Sequence, residues 1–186
     1  MKSFVRNWLP RFISGVLWGD RERWGLKAVE DDACWIEWQR TYGKFYSANQ
    51  RQGLGTRIND AGYQVMQNVD LTGKSVLEIG AGDIRHLKYI KGNPKEYIIA
   101  DISEEMMEFA AEKLKDKAIP YKSVFVTRNE SLPIEDSSVD IIVSFYSLEH
   151  LHPIETYLQD MHRVLKPGGL LIGAVPSEGG LAWGLG

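Results

Sequence analysis

The sequence predicts an α/β fold in which a doubly wound, mostly parallel sheet carries helices on both faces. From residue 71 onward, short apolar stretches alternate with helical segments, an order that is typical of parallel sheets. The apolar stretches are nearly continuous, which indicates strands buried on both faces. Before residue 71 there is no strand-like alternation, and five of the six tryptophans lie there. We therefore predict a helical, aromatic-rich N-terminal cap over residues 1–70 and a sheet domain over residues 71–186.

Each element follows from a local signal. Five apolar stretches are predicted as strands: residues 74–79, 96–101, 122–127, 138–147 and 169–176. Three segments between them are predicted as helices: residues 84–90, 103–117 and 153–166. Ser103 is placed to cap the second helix, and Pro153 opens the third before the sequence PGG ends it. A helix of the cap is predicted over residues 56–70, with an apolar side made of Ile58, Gly62, Val65, Met66 and Val69.

Composition argues against several function classes. The 186 residues carry a net charge of -3, with 44% hydrophobic and 25% charged residues, which is ordinary for a globular protein. Lysines and arginines are scattered, so no nucleic-acid partner is expected. Apolar runs are too short to span a bilayer, so no integral membrane segment is expected. A single cysteine, Cys34, leaves no internal disulfide, which suits a reducing, cytoplasmic location.

A glycine-containing loop follows the first strand. Gly80, Ala81 and Gly82 stand between this strand and the next helix. Glycine lets a ligand lie against the backbone, and the helix start offers free N–H groups. A pyrophosphate-binding loop carries a third glycine, but the three residues after Gly82 are Asp83, Ile84 and Arg85, and the acidic Glu78 precedes the loop. A carboxylate there attracts a cation and repels a pyrophosphate, so the loop predicts a cofactor other than a dinucleotide.

Asp101 ends the second strand, 19 residues after Gly82. A carboxylate in this place can accept hydrogen bonds from both hydroxyls of a ribose. Together with Glu78 and the two glycines, Asp101 predicts a site for a nucleoside-type cofactor.

Four stretches resemble the successive motifs of class I S-adenosylmethionine-dependent methyltransferases: VLEIGAGDIRHL, IIADIS, NESLPIEDSSVDIIVSFYSLEHL and RVLKPGGLLI. The chain is most similar to the small-molecule branch that includes the ubiquinone and menaquinone methyltransferases, over residues 74–175. The resemblance implies a Rossmann-like fold, S-adenosylmethionine as cofactor and S-adenosylhomocysteine as its product. It also implies methyl transfer to a small-molecule acceptor, such as a sugar, a quinone or a lipid-linked intermediate.

The resemblance also implies a set of cofactor-binding residues. They are Glu78, Gly80, Ala81, Gly82, Asp101, Ile102, Met106, Asn129, Glu130, Ser144 and Phe145. Glu78 and the glycine loop would hold the amino-acid end of the cofactor, and Asp101 the ribose. Ile102 and Met106 would lie against the adenine, with the Asn129 amide at its edge.

Three residues near the end of the fourth strand are candidates for catalysis. Methyl transfer from a sulfonium is an in-line displacement, so the protein mainly aligns the nucleophile and excludes water. A general base helps where the nucleophile is a hydroxyl. His150 is the first candidate because histidine titrates near neutral pH, with Tyr146 and His152 behind it. The cluster EHLH could equally be polar residues beside a helix, and without a zinc-binding spacing no metal site is expected.

The end of the sequence raises an expectation about assembly. The family's sheet continues past the fifth strand with a helix and an antiparallel hairpin, and we expect this hairpin to be missing. The fifth strand would then be an open edge. We expect it to pair with another chain in a homodimer, to be covered by the N-terminal region, or to be poorly stable.

Two other functions stay open. Arg128 stands where the family has an acid. With the early end of the sequence, this favours a catalytically inactive or truncated cofactor-binding module. A nicotinamide-dependent oxidoreductase is the third hypothesis, against which Ile84 and Glu78 argue.

Overall fold

The described part of the protein is built around a five-stranded parallel sheet. The computed structural model describes residues 60–127, 130–151 and 153–175, which lie in a compact unit spanning Asn59–Val175. The strands are β1 (Ser75–Ile79), β2 (Glu96–Asp101), β3 (Tyr121–Phe125), β4 (Val139–Phe145) and β5 (Leu165–Ala174). Their order in the sheet is β3-β2-β1-β4-β5, and every neighbouring pair is parallel. The chain therefore winds outward in both directions from β1, as predicted.

Two α-helices and three short 3₁₀ helices lie wholly within the described residues. They are α1 (Glu104–Asp116), α2 (Ile154–Val164), η1 (Gln64–Asn68), η2 (Arg85–Lys88) and η3 (Leu148–His150). Ser103 caps α1, because its Oγ accepts a hydrogen bond of 3.3 Å from the Met106 N–H, as the sequence predicts. Within the described ranges, no helix has both the length and the apolar character needed to cross a membrane.

Both faces of the sheet are covered. Successive residues of a strand point to opposite faces, so Ile99 and Ile98 of β2 belong to different cores. Ile99 packs in one core with Leu114 of α1, and Ile98 packs in the other with Met161 of α2. Burying a side chain of this size stabilises the fold by about 1.5–3 kcal/mol. Helices on both faces confirm the predicted fold class and explain why the central strands lack alternating polar residues.

The helix predicted over residues 84–90 is shorter than expected. Only η2 forms there, and Ile84 before it has a φ of 39°, in the left-handed region. This conformation disfavours a regular α-helical start at a β-branched residue. Ile84 is only 2% exposed, so burial of its side chain compensates for the backbone strain.

The fifth strand begins earlier than predicted. α2 ends at Val164 and β5 starts at Leu165, so the PGG sequence lies inside the strand. There the register moves from Val139↔Leu165 to Ile141↔Leu170, which leaves residues 166–169 as a bulge. Gly168 has a φ of 78°, a conformation that glycine adopts without a steric penalty.

The apolar side predicted for residues 56–70 is partly wrong. Val65 is 38% exposed, whereas Tyr63 and Met66 are buried in the core of the sheet. Because η1 is a 3₁₀ helix with three residues per turn, positions 63 and 66 share a face and position 65 does not. Residues before Asp60, with Ile58 and most of the proposed cap, lie outside the described residues, so the cap stays a prediction.

Candidate functional site

Three predicted site segments meet at the carboxyl edge of the sheet. The glycine loop follows β1, Asp101 ends β2, and Tyr146 follows β4. β1 lies between β2 and β4 in the sheet. After β1 the chain adds β2 and β3 on one side of it, and then returns to add β4 and β5 on the other side. Ligands of open α/β sheets bind outside such a reversal point, at the carboxyl ends of the strands.

The glycine loop has a backbone that only glycine adopts easily. Gly80 and Gly82 have φ values of 67° and 51°. The Gly80 N–H donates to the Ala100 carbonyl at 2.8 Å, which ties the loop to β2. A Cβ at Gly80 would collide with the Ser147 side chain, approaching its Oγ to 2.7 Å. The loop therefore packs against Ser147, and its shape depends on glycine at position 80.

A pair of serines holds the start of this loop. The hydroxyls of Ser144 and Ser147 lie 3.2 Å and 2.8 Å from the Ile79 carbonyl oxygen and 2.6 Å from each other. Two hydroxyl protons serve these three contacts, so two of the contacts are hydrogen bonds at any moment. Ser144 is fully buried, so its side chain positions the loop from below. Sequence reasoning missed Ser147, because nothing local shows that it meets a residue 68 positions earlier.

Asp101 connects the end of β2 to the same loop. Its Oδ1 accepts a hydrogen bond of 2.9 Å from the Ser103 N–H, and its Oδ2 lies 3.4 Å from the Gly82 nitrogen. Burial raises the pKa of the Asp101 carboxyl, and the backbone N–H groups of Ser103 and Gly82 oppose this rise. The side chain is only partly buried, so the carboxylate keeps capacity for further donors such as ribose hydroxyls.

The residues after Asp101 suit an apolar ring. Ile102 is 52% exposed, although it is a large apolar residue beside the carboxylate. Met106 is half-buried in the first turn of α1. An exposed isoleucine beside a sheet edge is ordinary by itself, but next to Asp101 and the glycine loop it offers a surface for an adenine.

Glu78 is not at the surface of the site. Its side chain is 1% exposed, and its Oε2 accepts a hydrogen bond of 2.6 Å from the Tyr97 hydroxyl. The His86 Nε2 lies 2.9 Å from that hydroxyl and 3.5 Å from the same carboxyl oxygen. Sequence reasoning missed Tyr97 and His86, and their only signal is that each is a polar residue within an apolar element.

Burial sets the protonation of this cluster. Desolvation raises the pKa of Glu78 well above its ordinary value, and the Tyr97 hydrogen bond only partly offsets the rise. Desolvation lowers the pKa of His86 to about 3, with a further contribution from Lys113. Both groups therefore favour their neutral forms in this interior.

Phe145 belongs to the core rather than to an open surface. It is 7% exposed, and its ring stacks on His86 with centroids 4.9 Å apart. Tyr63 meets Phe145 edge-on at 5.1 Å. The side chain implied as a cofactor contact thus packs against the buried cluster beneath the glycine loop.

Two of the catalytic candidates lie at the end of β4. Tyr146 has a φ of 56°, and its N–H donates to the Ala174 carbonyl at 2.8 Å. Its hydroxyl lies so close to Gly62 that a Cβ there would collide with it. His150, in η3, has a side chain that is 37% exposed, with its Nε2 4.0 Å from Glu149 Oε1. A strained tyrosine and an accessible histidine thus stand at the same sheet edge as the glycine loop.

The loop after β3 is only partly described. Arg128, Asn129 and His152 lie outside the described residues, so their predicted roles stay predictions. Glu130 is exposed. In the segment that follows Glu130, the carbonyl oxygens of Leu132 and Ile134 accept hydrogen bonds of 2.9 Å and 2.8 Å from Arg163 of α2. α2 therefore fixes this segment.

Comparisons with known proteins agree with this arrangement. A family described as "Methyltransferase domain" matches residues 77–173, just over half of the chain. The ubiquinone/menaquinone biosynthesis C-methyltransferase UbiE of Shewanella baltica (strain OS155) is 36% identical over 159 residues, which are 80% of this chain and 62% of that protein. UbiE of Yersinia pestis (strain Pestoides F) is 38% identical over 104 residues, 54% of this chain and 41% of that protein. The chain spans less than two thirds of the length of these curated relatives.

Solved structures share the fold. The carbon methyltransferase CurJ has a TM-score of 0.50 at 26% identity, over 61% of this chain and 34% of that chain. The [4+2]-cyclase SpnF has a TM-score of 0.51 at 24% identity, over 62% of this chain and 42% of that chain. The likeness to SpnF concerns the fold alone.

Proposed function

Since this chain belongs to the class I S-adenosylmethionine-dependent methyltransferases, in the branch similar to UbiE, we propose that it transfers a methyl group to a small-molecule acceptor. S-adenosylmethionine is the cofactor of this family, in agreement with the sequence prediction. One observation carries the proposal. The positive-φ glycine loop and the partly exposed Asp101 carboxylate lie side by side at the carboxyl edge of the sheet, and this arrangement supports the binding of a nucleoside with an amino-acid tail.

The proposed binding mode follows the polarity of this edge. The backbone of Gly80, Ala81 and Gly82 holds the amino-acid end, and Asp101 accepts hydrogen bonds from the ribose hydroxyls. The adenine lies against Ile102 and Met106, with Asn129 and Glu130 near its edge. Three further residues belong to the proposed site: Glu78, Ser144 and Phe145. The last three act from beneath the loop, because each is buried.

The proposed reaction is an in-line displacement. When bound, S-adenosylmethionine supplies a methyl group on a positively charged sulfur, which leaves as the neutral thioether of S-adenosylhomocysteine. The protein then has to align the acceptor with the methyl carbon and exclude water. His150 is the proposed base for an acceptor that must lose a proton, and Tyr146 is proposed to orient the acceptor through its hydroxyl.

The names of the relatives favour a quinone-type acceptor among the small-molecule classes. Incubating the whole chain with S-adenosylmethionine and a panel of demethylated quinones, sugars and lipid-linked intermediates tests this choice. Formation of S-adenosylhomocysteine with a quinone precursor alone supports it. Binding of S-adenosylhomocysteine without turnover on any acceptor would support the inactive-module alternative.

Replacing His150 with glutamine is expected to lower turnover on the accepted substrate about a hundredfold. A positioned general base contributes at least that factor, and glutamine keeps a hydrogen-bonding side chain without the basic nitrogen. The measurement is kcat, together with the Kd for S-adenosylhomocysteine, which should not change. His162→Gln is the matched control, since His162 is exposed on α2. Unchanged kcat in His150→Gln would exclude His150 as the base.

The proposed assembly is a homodimer in the cytoplasm, with no nucleic-acid partner. Among the described residues β5 pairs only with β4, and three apolar residues in or just after it are about half exposed: Leu170, Leu171 and Val175. Open edges of this kind favour pairing with another chain. Sedimentation equilibrium tests the proposal: a dimer that Leu171→Lys dissociates supports it, and a monomer at all concentrations contradicts it.

A further inference from the structure

Three buried polar side chains form a hydrogen-bonded chain beneath the glycine loop. Glu78 comes from β1, Tyr97 from β2 and His86 from η2. The exposed fractions of their side chains are 1%, 0% and 1%. Hydrogen bonds of 2.6 Å and 2.9 Å join Glu78 to Tyr97 and Tyr97 to His86. Because Glu78 precedes the loop and His86 follows it, these three hydrogen-bonded side chains support the loop from both sides.

The surroundings disfavour a charge on Glu78. Asp83 and Asp101 are the acidic groups that act on it, and both raise its pKa. Lys113 of α1 is the cation that acts on the cluster, through His86, and its ammonium lies 3.8 Å from Asp83. Two aromatic rings, Tyr63 and Phe145, lie against the His86 ring. A carboxylate in this interior therefore has two negative charges near it and little water.

We propose that Glu78 is protonated in the cofactor-free protein and releases its proton when the ammonium group of the cofactor's amino-acid end binds on the glycine loop. In the free state the Glu78 carboxyl is neutral and its Oε2 accepts from the Tyr97 hydroxyl at 2.6 Å, while the His86 Nε2 lies 2.9 Å from the same hydroxyl. After binding, the Glu78 carboxylate keeps the hydrogen bond from Tyr97 beneath the loop that holds the ammonium group, and its proton has been released to the buffer. Tyr97 and His86 are positioning residues in this scheme, which rests on the proposed function.

The direction of the pH effect follows from this proton count. At a pH where the free protein carries the extra proton and the complex does not, each binding event releases one proton. Affinity then rises about tenfold per pH unit. The rise ends once the pH exceeds the raised pKa of Glu78 in the free protein, because no proton remains to be released.

Calorimetric titration of the whole chain with S-adenosylhomocysteine tests the proposal between about pH 5 and pH 7, where the amine of the ligand stays protonated. Buffers of different ionisation enthalpy give the number of protons released. A second ligand, methylthioadenosine, has the nucleoside and thioether but no amino-acid end. For S-adenosylhomocysteine we expect the release of one proton per binding event and an affinity that rises with pH. For methylthioadenosine we expect neither effect.

Three variants separate Glu78 from other acids. Glu78→Gln should give a pH-independent Kd without proton release, and Glu96→Gln, at the other end of the sheet, should keep the wild-type slope. Tyr97→Phe removes the donor that favours the carboxylate, so its affinity should keep rising to higher pH. Circular dichroism establishes that each variant is folded, and Tyr97→Phe keeps the test available if Glu78→Gln does not fold.

The possible failures are distinct. A measurable but pH-independent Kd for the wild type overturns the proton-release proposal and leaves the proposed function intact. Failure of the folded protein to bind S-adenosylhomocysteine at any pH contradicts the proposed function. Infrared spectroscopy of the cofactor-free protein then decides the state of Glu78 alone. A protonated-carboxyl band that Glu78→Gln removes supports the proposal, and the absence of such a band overturns it.

Discussion

Replacing Asp101 with alanine is expected to weaken binding of S-adenosylhomocysteine about a hundredfold. A hydrogen bond to a charged acceptor is worth about 1.5–3 kcal/mol, and two ribose hydroxyls are proposed to donate to this carboxylate. A loss of about 3 kcal/mol corresponds to roughly a hundredfold in Kd. Alanine also removes the acceptors for the Ser103 and Gly82 N–H groups, which loosens the glycine loop. Calorimetric titration gives the Kd directly.

The matched variants for this prediction are Asp101→Asn and Glu96→Gln. Asparagine keeps one acceptor oxygen without the charge, so we expect an effect between those of aspartate and alanine. Glu96 begins the same strand at the opposite edge of the sheet, where its carboxylate pairs with Lys122 at 2.7 Å. An exposed pair of this kind contributes about 1 kcal/mol or less, so Glu96→Gln should bind normally. If the folded Asp101→Ala protein bound S-adenosylhomocysteine as tightly as the wild type, Asp101 would not belong to the site.

The sequence was sufficient for the features that local chemistry decides. Continuous apolar runs placed the central strands β1, β2 and β4, because a strand buried on both faces has no polar side. The edge strands β3 and β5 were also predicted, although many of their side chains are exposed. The glycines after β1 and the acid that ends β2 lie together at the carboxyl edge of the sheet, where the sequence predicts the cofactor site. Boundaries were less accurate where two requirements conflict. At PGG, the glycine and proline indicate a turn, but β5 runs through them as a bulge between two paired segments.

Residues whose role depends on a distant neighbour could not be found in this way. Tyr97 and Glu78 are 19 positions apart, and Ser147 and Ile79 are 68 apart. Each pair meets only because β1 lies between β2 and β4, and the strand order is not written in any local pattern. Glu78 shows the same limit, because its position before the loop was predicted correctly, whereas its burial against Tyr97 and His86 was not.

Replacing Gly80 with alanine is expected to destabilise the protein by about 3 kcal/mol and to abolish cofactor binding. A left-handed conformation costs an L-residue about 1–2 kcal/mol. Forcing an extra methyl group into a packed region costs about 1–3 kcal/mol more, and here the methyl would collide with Ser147. Since Ser147 also holds the Ile79 carbonyl, its displacement moves the start of the loop. Urea unfolding measures the stability loss, and titration with S-adenosylhomocysteine measures the binding.

Gly73 provides the control, because it separates the two contributions. Its φ of 69° nearly equals the 67° of Gly80, but a Cβ at Gly73 would have nothing within 4 Å. Gly73→Ala should therefore cost only the conformational part, about 1 kcal/mol, and leave the Kd unchanged. The difference between the two variants is the free energy of the collision with Ser147. Equal losses of stability in both variants would mean that the glycine loop moves to accommodate the methyl group. The proposal that a rigid glycine loop holds the amino-acid end of the cofactor would then be wrong.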